Sequence, residues 1–139
     1  MKARAVGGLD PEAPLRGNAQ KIIRVRLDEL RSFAEEALDP AASGAQHDMR
    51  IAAKRLRYVL EIVGPCFGPE AKAARRAAKE LQSVLGEIHD CDVLLPRVKG
   101  IESMAALLHA RRERLFRRFH DLWQLEVSRG TWVALERGL

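Results

Sequence analysis

The chain has 139 residues, enough for one domain, with 47% hydrophobic but only 5% aromatic side chains. Alanine, leucine and arginine dominate and strand formers are scarce, which argues against a β-rich domain and for an all-α one. The net charge of +5 and a pI near 9.7 point to an anionic partner such as nucleic acid, a phosphorylated polymer or an acidic membrane.

Residues 1–14 are rich in Gly, Pro and Ala without a period and read as a flexible N-terminal arm. Residues 15–139 read as a single helical domain. The first helix is predicted from Leu15 to Ala37, with Ile22, Ile23, Leu27, Leu30, Phe33, Ala34 and Leu38 at helical spacing. Pro40 and Gly44 break it. The second is predicted from Gln46 to Val63, where Met49, Ala52, Ala53, Leu56, Leu60 and Val63 form one apolar stripe. The segment "GPCFGPE" is a turn, and Pro69 suits the first turn of a third helix running to Asp90. Ala74, Ala77, Ala78, Leu81, Leu85 and Ile88 are its inner stripe. Pro96 stops any extension of that helix. A fourth helix is predicted from Ile101 to Val127, with Met104, Leu108, Leu115, Phe119 and Leu122 inward. Gly130 interrupts, leaving "TWVALERGL" for a short extra C-terminal helix. Amphipathic helices joined by short connections predict an antiparallel four-helix bundle.

The polar residues of the second helix carry the functional signal. His47, Arg50, Lys54 and Arg57 step by three, four and three. They form a basic stripe about 120° round from the apolar one. A stripe so placed lies along a groove between neighbouring helices. Arg55 lies elsewhere on the helix, and Glu61 continues the stripe as a pairing partner for Arg57. The third helix adds Lys72, Arg75, Arg76 and Lys79, and the fourth adds "HARRERLFRR". On the first helix, Lys21, Arg24, Arg26 and Arg31 are diluted by Asp28, Glu29, Glu35 and Glu36. Arginine forks match phosphate oxygens through paired charge-assisted bonds, and lysine acts as a point charge. A solvated helix face is the plainer reading of such cations.

Other chemistry finds less support. His47, His89, His109 and His120 include no i, i+4 pair, so no metal site is expected, although a divalent cation arriving with bound phosphate fits. There is no nucleophile motif and no Gly-rich phosphate loop. Trp123 and Trp132 read as core or interface residues. Cys66 and Cys91 form no C-x-x-C pair. With no secretory signal and no run of roughly 20 apolar residues, the expectation is a soluble cytoplasmic protein that engages no membrane. Nucleic acid remains a rival partner on electrostatic grounds, although no helix-turn-helix signature is present and few aromatics exist for base stacking.

Two segments carry a family resemblance. "HDMRIAAKRLRYVLE" (47–61) followed by "LQSVLGEIHDCDVLL" (81–95) resembles the CHAD family, the conserved histidine α-helical domain. The resemblance implies a helical bundle whose basic residues bind inorganic polyphosphate without catalysis and without a cofactor. It also implies association with polyphosphate granules, or with a triphosphate-processing domain as an accessory. By motif it implicates His47, Arg50, Lys54, Arg55 and Arg57, with His89 and Asp90 from the second segment. Lys79, Arg111, Arg112 and Arg118 join them by helix and charge. Family domains pair two helical halves around a basic pore, and here only the first half is clearly present. The chain is then a short member, a cut-back one, or one that restores two halves as a homodimer through Leu125, Trp132, Val133 and Leu135.

Overall fold

The computed structural model describes residues 2–139, which form five α-helices. They are α1 (Leu15–Ala37), α2 (Ser43–Val63), α3 (Pro69–Leu94), α4 (Glu102–Arg129) and α5 (Thr131–Arg137), with short 3-10 turns at Gly64–Cys66 and Leu95–Val98. The apolar stripes explain the packing. Every inward residue predicted for the second and third helices is buried. In succession α1 packs on α2, α2 on α3, and α3 on α4. Neighbours run antiparallel. The start of α1 meets the end of α2, where Arg16 donates to the Cys66 carbonyl, and the start of α2 meets the end of α3, where His47 stacks on His89. Small residues on the facing stripes, Ala52 and Ala53 on α2 and Ala74, Ala77 and Ala78 on α3, let these two backbones approach closely.

The start of α2 and the end of α3 differ from expectation, and the short C-terminal helix forms as expected. Helix α2 begins at Ser43 rather than Gln46, after a turn in which the Asp39 carboxylate accepts from the Ala41 N–H. Helix α3 runs on past Asp90 to Leu94, and Pro96 then falls within the first two residues of the 3-10 turn, where its missing N–H costs no helical bond. Helix α5 exists and closes the bundle. Gly130 adopts φ 70°, a conformation that glycine takes without steric cost. The chain thereby reverses, and Trp132 stacks on Trp123 with ring centroids 5.7 Å apart. Trp132 and Leu135 are buried inside the chain and so do not serve as interface residues, whereas Leu125 and Val133 are exposed. Met104 is 46% exposed and not part of the core, whereas Leu108 packs partly buried against it and full burial on α4 begins at Leu115.

The N-terminal arm is tied along α1. The Arg4 N–H donates to Glu29 Oε2 at 2.9 Å, and Arg26 donates to the Arg4 carbonyl at 2.8 Å. Lys21 donates to the Gly8 carbonyl, and Asp10 and Asn18 exchange two hydrogen bonds. Among the described residues, no helix is long and apolar enough to cross a membrane.

A candidate anion site between two helices

Along the seam of α2 and α3 lies an open cleft of about 420 Å³, lined by Arg50, Arg57, Lys79, Gln82, Ser83, Gly86, His89 and Asp90. Helical periodicity places these side chains. Arg50 and Arg57 are seven residues apart on α2, two turns along one face. Lys79, Gln82, Ser83, Gly86 and His89 step down the facing side of α3 at spacings of three, one, three and three. The antiparallel arrangement sets Arg50 opposite Gly86, whose absent Cβ would lie 3.7 Å from Arg50 Cδ.

The seam is short of hydrogen-bond partners. Five buried side-chain polar atoms among the described residues have none, and four lie here: His47 Nδ1, Arg50 Nε, Arg57 Nε and Gln82 Oε1. Arg57 Nε does sit 3.4 Å from Glu61 Oε1, but the alignment makes no hydrogen bond. Buried polar groups are normally satisfied, and four of the partnerless ones fall in this one seam. The fifth such atom, Trp132 Nε1, lies apart from the seam.

At one end of the cleft the His47 and His89 rings stack with centroids 4.1 Å apart and planes inclined by 25°. Burial, then the neighbouring charges of His89 and Arg50, push the His47 pKa below its ordinary value, and Asp48 only partly opposes them. The neutral imidazole of His47 is thereby favoured over the imidazolium.

The predicted residues thus divide. Arg50, Arg57, Lys79 and His89 line one cleft, with His47 against it. Lys54 is exposed, its ammonium 5.7 Å from the Tyr58 ring. Arg55 points to the other side of α2 and pairs with the buried Glu29 of α1 at 3.4 Å. Arg111 pairs with Glu87 at 3.5 Å. Arg112 is a structural clamp. It binds Asp92 at 2.5 Å, the Pro40 carbonyl at 2.9 Å and Gln46 Oε1 at 2.6 Å, joining α4 to α3, to α2 and to the α1–α2 turn. Arg118 lines a separate hollow with Arg114, Arg117 and the acids Glu80 and Asp121. A third hollow, at the α2–α3 turn, is lined mainly by Leu60, Phe67, Pro69 and Ala71 with Lys72 and Arg75, and none of the partnerless atoms belongs to it.

Sequence reasoning did not single out Gln82, Ser83 and Gly86 as site residues. One signal was available for Gly86. A glycine inside a helix costs about 0.5–1 kcal/mol relative to alanine, yet a Cβ here would make only ordinary contact. Its presence therefore keeps the cleft floor low. Among the described residues, no three His, Cys, Asp or Glu side chains are grouped so as to hold a metal, and Cys66 and Cys91 are both free thiols.

A family model for the CHAD domain matches residues 2–99. The chain belongs to the CHAD domain family. That match spans the arm, α1, α2 and α3, and so contains every residue of the α2–α3 cleft, while α4 and α5 lie beyond it. No curated protein and no solved structure gives a significant match to the chain. Within this CHAD domain, both motif segments face each other across the cleft, the first through Arg50 and Arg57 and the second through Gln82, Ser83, Gly86, His89 and Asp90.

Proposed function

We propose that this CHAD domain binds inorganic polyphosphate along the α2–α3 cleft and cleaves nothing. The observation that carries the reading is the convergence of Arg50, Arg57, Lys79 and His89 on one cleft whose buried polar atoms lack partners. From His47 to Arg57 the basic edge of α2 runs ten residues, about 15 Å at the helical rise. A linear polyanion lies naturally along such an edge, its oxygens taken by arginine forks from α2 and by Lys79 and neutral polar groups from α3. The net charge of +5 favours encounter with any polyanion. A bundle partner that completes a two-halved domain, and residence at polyphosphate granules, belong to this same reading.

Titration with polyphosphate of defined length, beside duplex DNA at the same salt, tests it. Polyphosphate is expected to bind with a steep salt dependence, to displace DNA, and to release no phosphate. DNA binding more tightly at physiological salt, and resisting displacement, would overturn the assignment.

Gly86→Ala separates folding from binding. The variant is expected to be more stable by about 0.5–1 kcal/mol, the usual gain for alanine over glycine inside a helix. It is also expected to bind polyphosphate several-fold more weakly, because the new methyl raises the cleft floor beside Arg50. Denaturant melts and titrations on the same sample read both effects.

A further inference from the structure

We infer that the stacked His47 and His89 form a proton-coupled phosphoryl subsite, so that polyphosphate binding draws protons onto the pair. This rests on the polyphosphate reading of the cleft and adds to it a chemistry that composition alone does not imply. Two imidazoles with ring centroids 4.1 Å apart cannot both be cationic without strong mutual repulsion. In the unliganded protein, burial, then His89 and Arg50, already lower the His47 pKa from its ordinary value. His47 Nδ1 is buried with no hydrogen-bond partner, although an imidazole is most stable when both ring nitrogens are used.

A phosphoryl group entering beside His89 changes each of these. Its negative charge offsets the repulsion between the rings, and its oxygens accept hydrogen bonds that only protonated ring nitrogens can donate. The charged form is then more favoured in the complex than in the free protein. By linkage, the complex takes up protons, and affinity rises as pH falls through the histidine range.

The surrounding charges leave this role to the pair. On α2, Asp48 and Arg50 flank His47 with opposite signs. On α3, Asp90 borders the cleft beside His89, with Lys79 further along. On α4, Arg111 and Arg112 are engaged by Glu87 and Asp92. In the α1–α2 turn, the Asp39 carboxylate accepts from the Ala41 N–H. The arginines and lysine keep their charge through the pH range in question, so they do not themselves produce a pH dependence there.

Long-chain polyphosphate is the probe, since its internal groups carry no proton near neutrality and the proton count then reports the protein. Calorimetry at pH 7 in two buffers of different ionisation enthalpy is expected to give net uptake on the order of one proton per site. Affinity is expected to fall by up to about tenfold per pH unit between pH 6 and 8. His47→Gln and His89→Gln should each flatten that profile with helicity unchanged. Binding that is flat with pH and takes up no protons would overturn the inference while leaving the polyphosphate reading intact. A profile that persists in both variants would do the same, by placing the titration elsewhere. No binding at any pH would overturn both.

Discussion

Replacing Arg50 by glutamate is expected to weaken polyphosphate binding by roughly 100-fold or more at low salt, with the helical content unchanged. Arg50 lines the cleft directly, opposite Gly86, and its Nε has no partner in the folded chain. No ion pair of the fold is lost by changing it, because none of the intramolecular salt bridges uses Arg50 among the described residues. Hydrogen bonds to charged groups contribute about 1.5–3 kcal/mol each. A reversed charge adds repulsion of the anion, and each 1.4 kcal/mol is tenfold in affinity. The salt dependence should also become shallower by about one phosphate contact. Arg57→Glu should act in the same direction, with an added repulsion from Glu61, its neighbour at 3.4 Å. Arg55→Glu is the informative contrast, since Arg55 serves Glu29 and not the cleft, so its cost appears in stability. Unchanged affinity in both the Arg50 and Arg57 variants would remove this cleft from consideration.

Glu29→Ala is expected to destabilise the fold by about 3–5 kcal/mol, the usual consequence of breaking a buried charge network by deleting one partner. For a chain of this size that lowers Tm by roughly 10–17 °C. Glu29 is only 1% exposed. Its carboxylate accepts from the Arg4 N–H at 2.9 Å and lies 3.2 Å from Arg26 and 3.4 Å from Arg55. It therefore joins the N-terminal arm, α1 and α2. Burial pushes its pKa up, but the Arg4 N–H and the Arg26 and Arg55 guanidiniums outweigh that, and the net shift is downward.

The pH dependence follows from that sign. A carboxylate with a depressed folded pKa adds stability above its unfolded value near 4.5, and this is lost as pH falls through the folded value. The stability gap between wild type and Glu29→Ala, measured by urea melts, should therefore be widest near pH 7 and narrow in acid. A gap that stays constant down to pH 3 would mean that packing, not charge, is what Glu29 provides. Amide exchange near Arg4 should also speed up in the variant, because the arm loses its acceptor.

Much of the fold was legible in the sequence, and the reason is periodicity. The stripes of α2 and α3 each bury a complete face, and a 3.6-residue repeat records a buried face whatever the neighbour is. Helix α4 is less legible. Of its expected inner stripe Met104 is exposed, Leu108 is only partly buried against the core, and full burial starts at Leu115, because a repeat does not say how much of a face its neighbours cover. The basic stripe was legible for the same reason as the apolar one. Arg50, Arg57, Lys79 and His89 do share a cleft. The cations of α4 were not separable by charge alone. Arg111 and Arg112 look like their neighbours in sequence, but Glu87 and Asp92 sit across from them, and that pairing joins residues about twenty positions apart. Glu29 shows the converse. It reads as one of several acids diluting a basic helix, and it is the most buried of the carboxylates.

The sequence by itself determined that this chain is helical, where its helices run to within a few residues, which faces they bury, and that α2 carries an unusual line of cations. These follow from local chemistry, since backbone propensity and side-chain spacing act within a few turns of one helix. The tertiary structure alone decided which cations face a cleft and which are tied up in ion pairs, that His47 stacks on His89, that Gly86 leaves room opposite Arg50, and that α5 folds back to bury Trp132. Each of these depends on groups distant in sequence meeting across an interface. Hydrogen bonds act over a few ångströms and screened Coulomb forces over about ten, so a charge acquires its role only when its neighbour has been placed.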